Sequence, residues 1–126
     1  MNFPNELQYV KSHEWIKMTG EGCAEIGLSD YAQDSLGELV FINLPEVGDP
    51  VTVGEAFADV ESVKAVSDVF SPVDAVVAEI NEELIDNPGQ LNEAPYDAWI
   101  IRVKGIANKG DLLDAAAYEA ACAEEM

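Results

Sequence analysis

Val60-Glu61-Ser62-Val63-Lys64-Ala65-Val66-Ser67-Asp68-Val69 is the stretch on which the reading of this chain turns. Two β-prone halves flank the small tripeptide Val63-Lys64-Ala65, a pattern that predicts two paired strands with Lys64 at the tip of their hairpin. Its amine is then within reach of another protein. Two readings of that lysine compete. A lone lysine is by default a solvated surface charge. Alternatively it is an attachment point, because Val63 and Ala65 leave an acylating enzyme unobstructed and a turn fixed by paired strands presents the amine at a defined place. On spacing alone the solvated charge is the favoured reading.

The surroundings of Lys64 are unusual in charge. The basic residues are Lys11, Lys17, Lys64, Arg102, Lys104 and Lys109, so Lys64 is the single cation between Met18 and Ile101, among 18 acidic residues. Over the whole chain 25 Asp and Glu against 6 Lys and Arg give a formal charge of −19, which repels phosphate backbones and anionic lipid and so excludes nucleic acid and membrane surfaces as partners. A hydrophobic content of 48% excludes disorder, so the acids belong on the outside, suited to basic patches on other proteins. The length, 126 residues, fits one domain able to bury a core without staples and leaves no room for a second catalytic one.

Outward from the hairpin, residues 51–80 read as β-type runs punctuated by Gly54 and Ser71-Pro72. Gly20-Glu21-Gly22 predicts a turn between strands near Trp15-Ile16-Lys17-Met18 and Cys23-Ala24-Glu25-Ile26. Residues 29–37 predict a short helix with Asp30 as N-cap, Gln33 reaching back and Gly37 as the left-handed stop. A strand around Val40-Phe41-Ile42 ends at the turn 45–50, a helical turn at 81–84 ends at Asn87-Pro88-Gly89, and Trp99 to Val103 reads as a last strand. Asp111 can cap an Ala-rich C-terminal helix over about 111–123. Six or more short strands with helices at inserts and one end predict a mostly β fold, a small sandwich or flattened barrel, with a core over about 7–104 of one domain, 1–126.

Cys23 and Cys122 lack any zinc or redox spacing and read as small packed residues of a reducing compartment. With neither a signal-peptide pattern nor a long apolar run, the expectation is a cytoplasmic, bacterial protein. His13, the only histidine, has no Ser, Cys or metal-ligand partner in its sequence context and is read as a packing or hydrogen-bonding residue beside Trp15. Trp15 and Trp99 are assigned to the core. No nucleophile with a base is visible, which argues against an enzyme.

Glu61-Ser62-Val63-Lys64-Ala65-Val66-Ser67-Asp68 followed by Ser71-Pro72-Val73 resembles the lipoylation motif of the glycine cleavage system H proteins. The resemblance runs along nearly the whole chain. It includes Tyr9, Ser12-His13-Glu14-Trp15, Gly27, Asp30-Tyr31-Ala32-Gln33, Leu36-Gly37, Val40-Phe41 and Leu44-Pro45. Downstream it takes in Asn81, Leu84, Asn92, Pro95-Tyr96, Trp99, Leu112-Leu113-Asp114 and Ala117-Tyr118-Glu119. The chain departs from it at Ala75, where the family usually has glycine, in the short step from Tyr96 to Trp99, and in the short connection from Lys104 to Lys109.

That resemblance implies a lipoyl-type barrel-sandwich hybrid of two small antiparallel sheets, with lipoate in amide linkage to Lys64 inside a motif of Glu61, Ser62, Val63 and Ala65. It implies a non-catalytic carrier of an aminomethyl group from glycine decarboxylase to the aminomethyltransferase, reoxidised by dihydrolipoamide dehydrogenase and modified by a lipoate ligase or lipoyl transferase; the acidic surface adds the expectation of a monomer. It also implies a cleft for the loaded arm at Ser12, Glu14 and Asp68, with Ser67 beside them. The rivals are a biotinyl carrier, disfavoured because Val63 and Ala65 stand where methionines are typical, a lipoate depot serving other complexes, and an unmodified acidic interaction module.

Overall fold

A computed structural model describes residues 2–125. Its strands are β1 (Gln8–Tyr9), β2 (Glu14–Gly20), β3 (Cys23–Leu28), β4 (Leu39–Asn43), β5 (Pro50–Val51), β6 (Ala56–Ser62), β7 (Val66–Phe70), β8 (Val73–Ile80) and β9 (Ile101–Lys109). Its helices are α1 (Asp30–Leu36), α2 (Glu83–Asp86), α3 (Gln90–Glu93) and α4 (Ala115–Glu125). The strands form two antiparallel sheets, one of six in the order β1-β2-β3-β9-β8-β5 and one of three in the order β4-β6-β7. The expected two-sheet β architecture is therefore present.

Between the sheets lies one apolar cluster. Ile16, Ile26, Val77 and Val103 enter it from the larger sheet, and Ile42, Val60 and Val69 from the smaller. The period-2 alternation of β-strands puts these side chains on the inner faces and leaves acids such as Asp59 and Glu79 on the outer ones. A second cluster seats α4 on β1, where Tyr118 and Cys122 pack with Leu7, Tyr9 and Trp15. Cys122 is fully buried there and Cys23 is half-buried in β3. Trp15 is buried as expected, whereas Trp99 lies outside β9, half-buried under the Arg102 guanidinium at 4.0 Å.

Several local expectations shift. Ser29, rather than Asp30, caps α1: its hydroxyl accepts the Ala32 N–H, while Asp30 becomes the first helical residue and takes the Gln33 side-chain amide. Gly37 stops the helix at φ 81° as anticipated. The C-terminal helix starts four residues later than expected, because Leu113 exchanges hydrogen bonds with Tyr9 and Asp114, not Asp111, accepts the Ala117 N–H. The last strand runs on to Lys109, and a second short turn, α3, follows α2. Ala75 falls where the pairing of β8 with β9 shifts register between Asp74 and Val76, and it is buried opposite Val51.

One glycine is demanded by close approach. Trp15 pairs with Gly27 across β2 and β3, and a methyl group on Gly27 would come within 2.7 Å of the indole ring. The ring has no retreat, being fully buried with its Nε1–H donated to the Pro95 carbonyl at 3.0 Å. Gly27→Ala is therefore expected to cost about 1–3 kcal/mol of stability, read as a lowered Tm in thermal unfolding.

Candidate functional site

The tip of the β6–β7 hairpin is held from inside by one side chain. Ser62 Oγ accepts the N–H groups of Lys64 (3.3 Å) and Ala65 (3.0 Å), and the Ser62 N–H donates to the Ala65 carbonyl at 2.8 Å. Serine serves here because its short hydroxyl satisfies turn amides that no ladder partner reaches. From outside, the Glu38 carbonyl accepts the Val63 N–H at 3.2 Å, tying the tip to the loop after α1. Lys64 is exposed, flanked by Val63 at 71% and Val66 at 65% exposure. Among the described residues its ammonium joins no ion pair. Its stem lies along the bare backbone of Gly37, where a Cβ would be 3.4 Å from Lys64 Cε.

Along β7 from the tip, at Ser67 and Asp68, a cleft of about 110 Å³ opens. One wall is the turn into β2, with Ser12, His13 and Glu14. The opposite wall is α1, with Ala32, Ser35 and Leu36, and Leu28, Ser67 and Asp68 complete the lining. All four residues expected at the cleft, Ser12, Glu14, Ser67 and Asp68, thus border one cavity. Their places differ. Ser67 pairs with Val60, itself opposite Ile42, and so shares the inward face of the small sheet. Asp68 pairs with Asp59 on the outer face and is exposed at the rim.

Glu14 is the interior charge, only 1% exposed. Its carboxyl accepts the Ser12 hydroxyl and, at 3.2 Å, the Phe70 N–H. Burial pushes its pKa up from the ordinary carboxylate range to about 7, and those two hydrogen bonds hold it back only in part. A carboxyl so placed is near the midpoint of its titration at neutral pH. Among the described residues it has no cation against it, so the cleft offers a charge to any ammonium group that enters.

His13, Ser35 and the apolar wall of Leu28, Ala32 and Leu36 were not foreseen. Tertiary packing alone brings the apolar wall to the cleft. His13, expected as a packing or hydrogen-bonding residue, does both against Tyr31 and Tyr118 but also lines the cavity, and it is the one described non-glycine residue in the left-handed region, at φ 80°. A larger, mostly apolar groove of about 450 Å³ shares Ser12 with this cleft and is lined by Val10, Val53, Phe70 and Pro72.

Residues 7–125 match the family model described as glycine cleavage H-protein. The chain is 51% identical over 126 residues to the glycine cleavage system H protein of Lachnoclostridium phytofermentans, covering 100% of this chain and 99% of that one. It is 50% identical over 123 residues to that of Geobacillus kaustophilus, covering 95% and 96%. The crystal structure of the H protein from Mycobacterium marinum superposes with a TM-score of 0.89 at 36% identity, covering 94% of this chain and 97% of that chain.

The raised pKa of Glu14 has a signed consequence for stability. The folded state binds this proton more tightly than the unfolded chain does, so the contribution is intact below about pH 4.5 and is lost as pH rises through about 7. In Glu14→Gln this loss is absent. Chemical denaturation between pH 4.5 and 8 should show the variant gaining on the parent by up to about 3 kcal/mol as pH rises.

Proposed function

The chain belongs to the glycine cleavage H-protein family, and from that premise we propose that Lys64 carries lipoate in amide linkage and that the cleft beside β7 shelters the loaded arm. The protein is a lipoyl carrier of the glycine cleavage system. When attached, the lipoyl group supplies a disulfide that takes up the aminomethyl group of glycine and, as the dithiol left after transfer, passes electrons on. Everything else is the work of this chain's own residues.

The observation that carries the reading is an exposed lysine on a hydrogen-bonded hairpin tip whose following strand, β7, borders a cleft with the buried Glu14 carboxyl in its opposite wall. Fixing the tip matters because a tethered arm turns delivery into a local search at high effective concentration. The small neighbours Val63 and Ala65 leave the amine open to the modifying ligase or transferase, and Glu61 and Ser62 complete the motif that enzyme recognises. An aminomethyl cargo ends in an ammonium group. Glu14 faces it with a carboxyl whose ionisation that cation favours, Ser12 and Ser67 accept hydrogen bonds from it, and Asp68 adds negative potential at the rim. Enclosure between the β2 turn and α1 limits water, which would otherwise hydrolyse the cargo.

The partners under this reading are glycine decarboxylase, the aminomethyltransferase and dihydrolipoamide dehydrogenase, each meeting a strongly acidic surface. The protein itself is a non-catalytic, monomeric carrier of the bacterial cytoplasm, with residues 7–104 as the core of one carrier domain over 1–126. Among the described residues no helix is long and apolar enough to cross a membrane.

Reconstitution with the partner enzymes tests the attachment point. Glycine-dependent release of carbon dioxide should follow lipoylation of the parent and vanish in Lys64→Arg, and retained activity in that variant would refute it. The cleft is tested separately. Formaldehyde should leave loaded Glu14→Gln several-fold faster than the loaded parent, whereas equal rates would remove Glu14 from the berth.

A further inference from the structure

The two walls of the cleft come from separate segments of the chain, yet one hydroxyl touches the base of both. Tyr118, fully buried on α4, places its OH 2.7 Å from His13 Nδ1 and 2.6 Å from Ser29 Oγ. His13 stands between Ser12 and Glu14 in the first wall, and Ser29 caps the helix that carries Ala32, Ser35 and Leu36 in the second. We propose that the Tyr118 hydroxyl is a clamp that sets the width of the arm cleft, with His13 as the positioning residue through which the C-terminal helix holds Ser12 and Glu14 in place. This rests on the cleft being the berth of the loaded arm.

Hydroxyl chemistry lets one oxygen serve both walls. Ser29 Oγ accepts the Ala32 N–H at 3.2 Å and keeps a proton and a second lone pair for the Tyr118 hydroxyl. The Tyr118 hydroxyl, which also meets Cys122 on its own helix, has one proton and two lone pairs with which to hold both Ser29 Oγ and His13 Nδ1. Burial raises the Tyr118 pKa far above the physiological range, so the phenol remains a donor. Hydrogen bonds therefore join Ala32, Ser29, Tyr118 and His13 in one chain, from helix α1 through α4 to the β2 turn.

His13 needs such an anchor. A non-glycine residue at φ 80° is strained, and strain persists where the surroundings over-determine it. Here the Val10 carbonyl accepts the His13 N–H at 2.9 Å, the His13 carbonyl accepts the Ser29 N–H at 3.0 Å, and the ring rests on Tyr31 at 4.6 Å between centroids. The Ser29 link joins the two walls a second time. Tyr118 is held independently of its hydroxyl by stacking on Tyr9 at 4.6 Å with planes 4° apart, so removal of the oxygen breaks the clamp and leaves the helix seated.

Tyr118→Phe makes that cut, and two readouts follow it in the full chain. In unlipoylated protein, amide hydrogen exchange should speed up several-fold at Ala32 and Ser29 in one wall and at Phe70, whose N–H is held by Glu14, while Val103 in the central sheet keeps the parent rate. In lipoylated, loaded protein, formaldehyde release should rise several-fold, as in Glu14→Gln. His13→Gly, which relieves the backbone strain but lacks the anchor, should behave like Tyr118→Phe. His13→Asn, which tolerates positive φ and offers Tyr118 an acceptor, should restore slow release. Parent-like exchange and release in Tyr118→Phe, with fast release in Glu14→Gln, would overturn the clamp and leave the berth standing. Slow release in Glu14→Gln as well would remove the berth, and the clamp with it.

Discussion

Ser62 folds its hydroxyl back onto the amides of Lys64 and Ala65, and from the other side the Glu38 carbonyl takes the Val63 amide. The lysine therefore leaves the protein from a backbone that does not wander, and its side chain alone provides the motion. A carrier depends on that division. If the tip moved with its cargo, docking would not place the arm, and the gain in effective concentration from tethering would be lost. The paired strands behind the tip, β6 between β4 and β7, are anchored through Val60 and Val69 in the core between the sheets.

Glu14 is the costly part of the molecule. Burying a carboxyl without a cation opposes folding, and two hydrogen bonds offset only part of the penalty. An apolar residue there would pack with less conflict. Retention of an acid at 1% exposure makes sense if its partner arrives with the cargo, since an ammonium group entering the cleft converts a liability into a paired charge. Such a site must also keep its walls in register, because Coulombic gain falls off with separation. That links the acid to the clamp formed by Tyr118, His13 and Ser29.

Much of the framework was legible in local chemistry. The β-branched run on either side of Val63-Lys64-Ala65 and the Gly20-Glu21-Gly22 turn predict hairpins that are present. Errors fell where a neighbour far along the chain decides the matter. Asp111 has the chemistry of a cap, but Leu113 is drawn into a bridge with Tyr9 and the helix begins after it. Asp30 and Ser29 are both competent caps, and the choice of Ser29 follows from its bond to Tyr118, 89 residues away. The polar end of β9 has no periodicity to read. Ser12, Glu14, Ser67 and Asp68 were legible only through the resemblance to a family, and no spacing could disclose Leu28, Ala32, Leu36 or the role of His13.

The central claim is that Lys64 is acylated by lipoate, and the isolation of this lysine makes a direct measurement simple. Between Lys17 and Arg102 trypsin has no other basic residue to cut at. Mass spectrometry of a tryptic digest of the protein isolated from lipoate-supplied cells should yield residues 18–102 as one peptide bearing a lipoyl amide at Lys64. Separate, unmodified peptides 18–64 and 65–102 from the same cells would contradict the account.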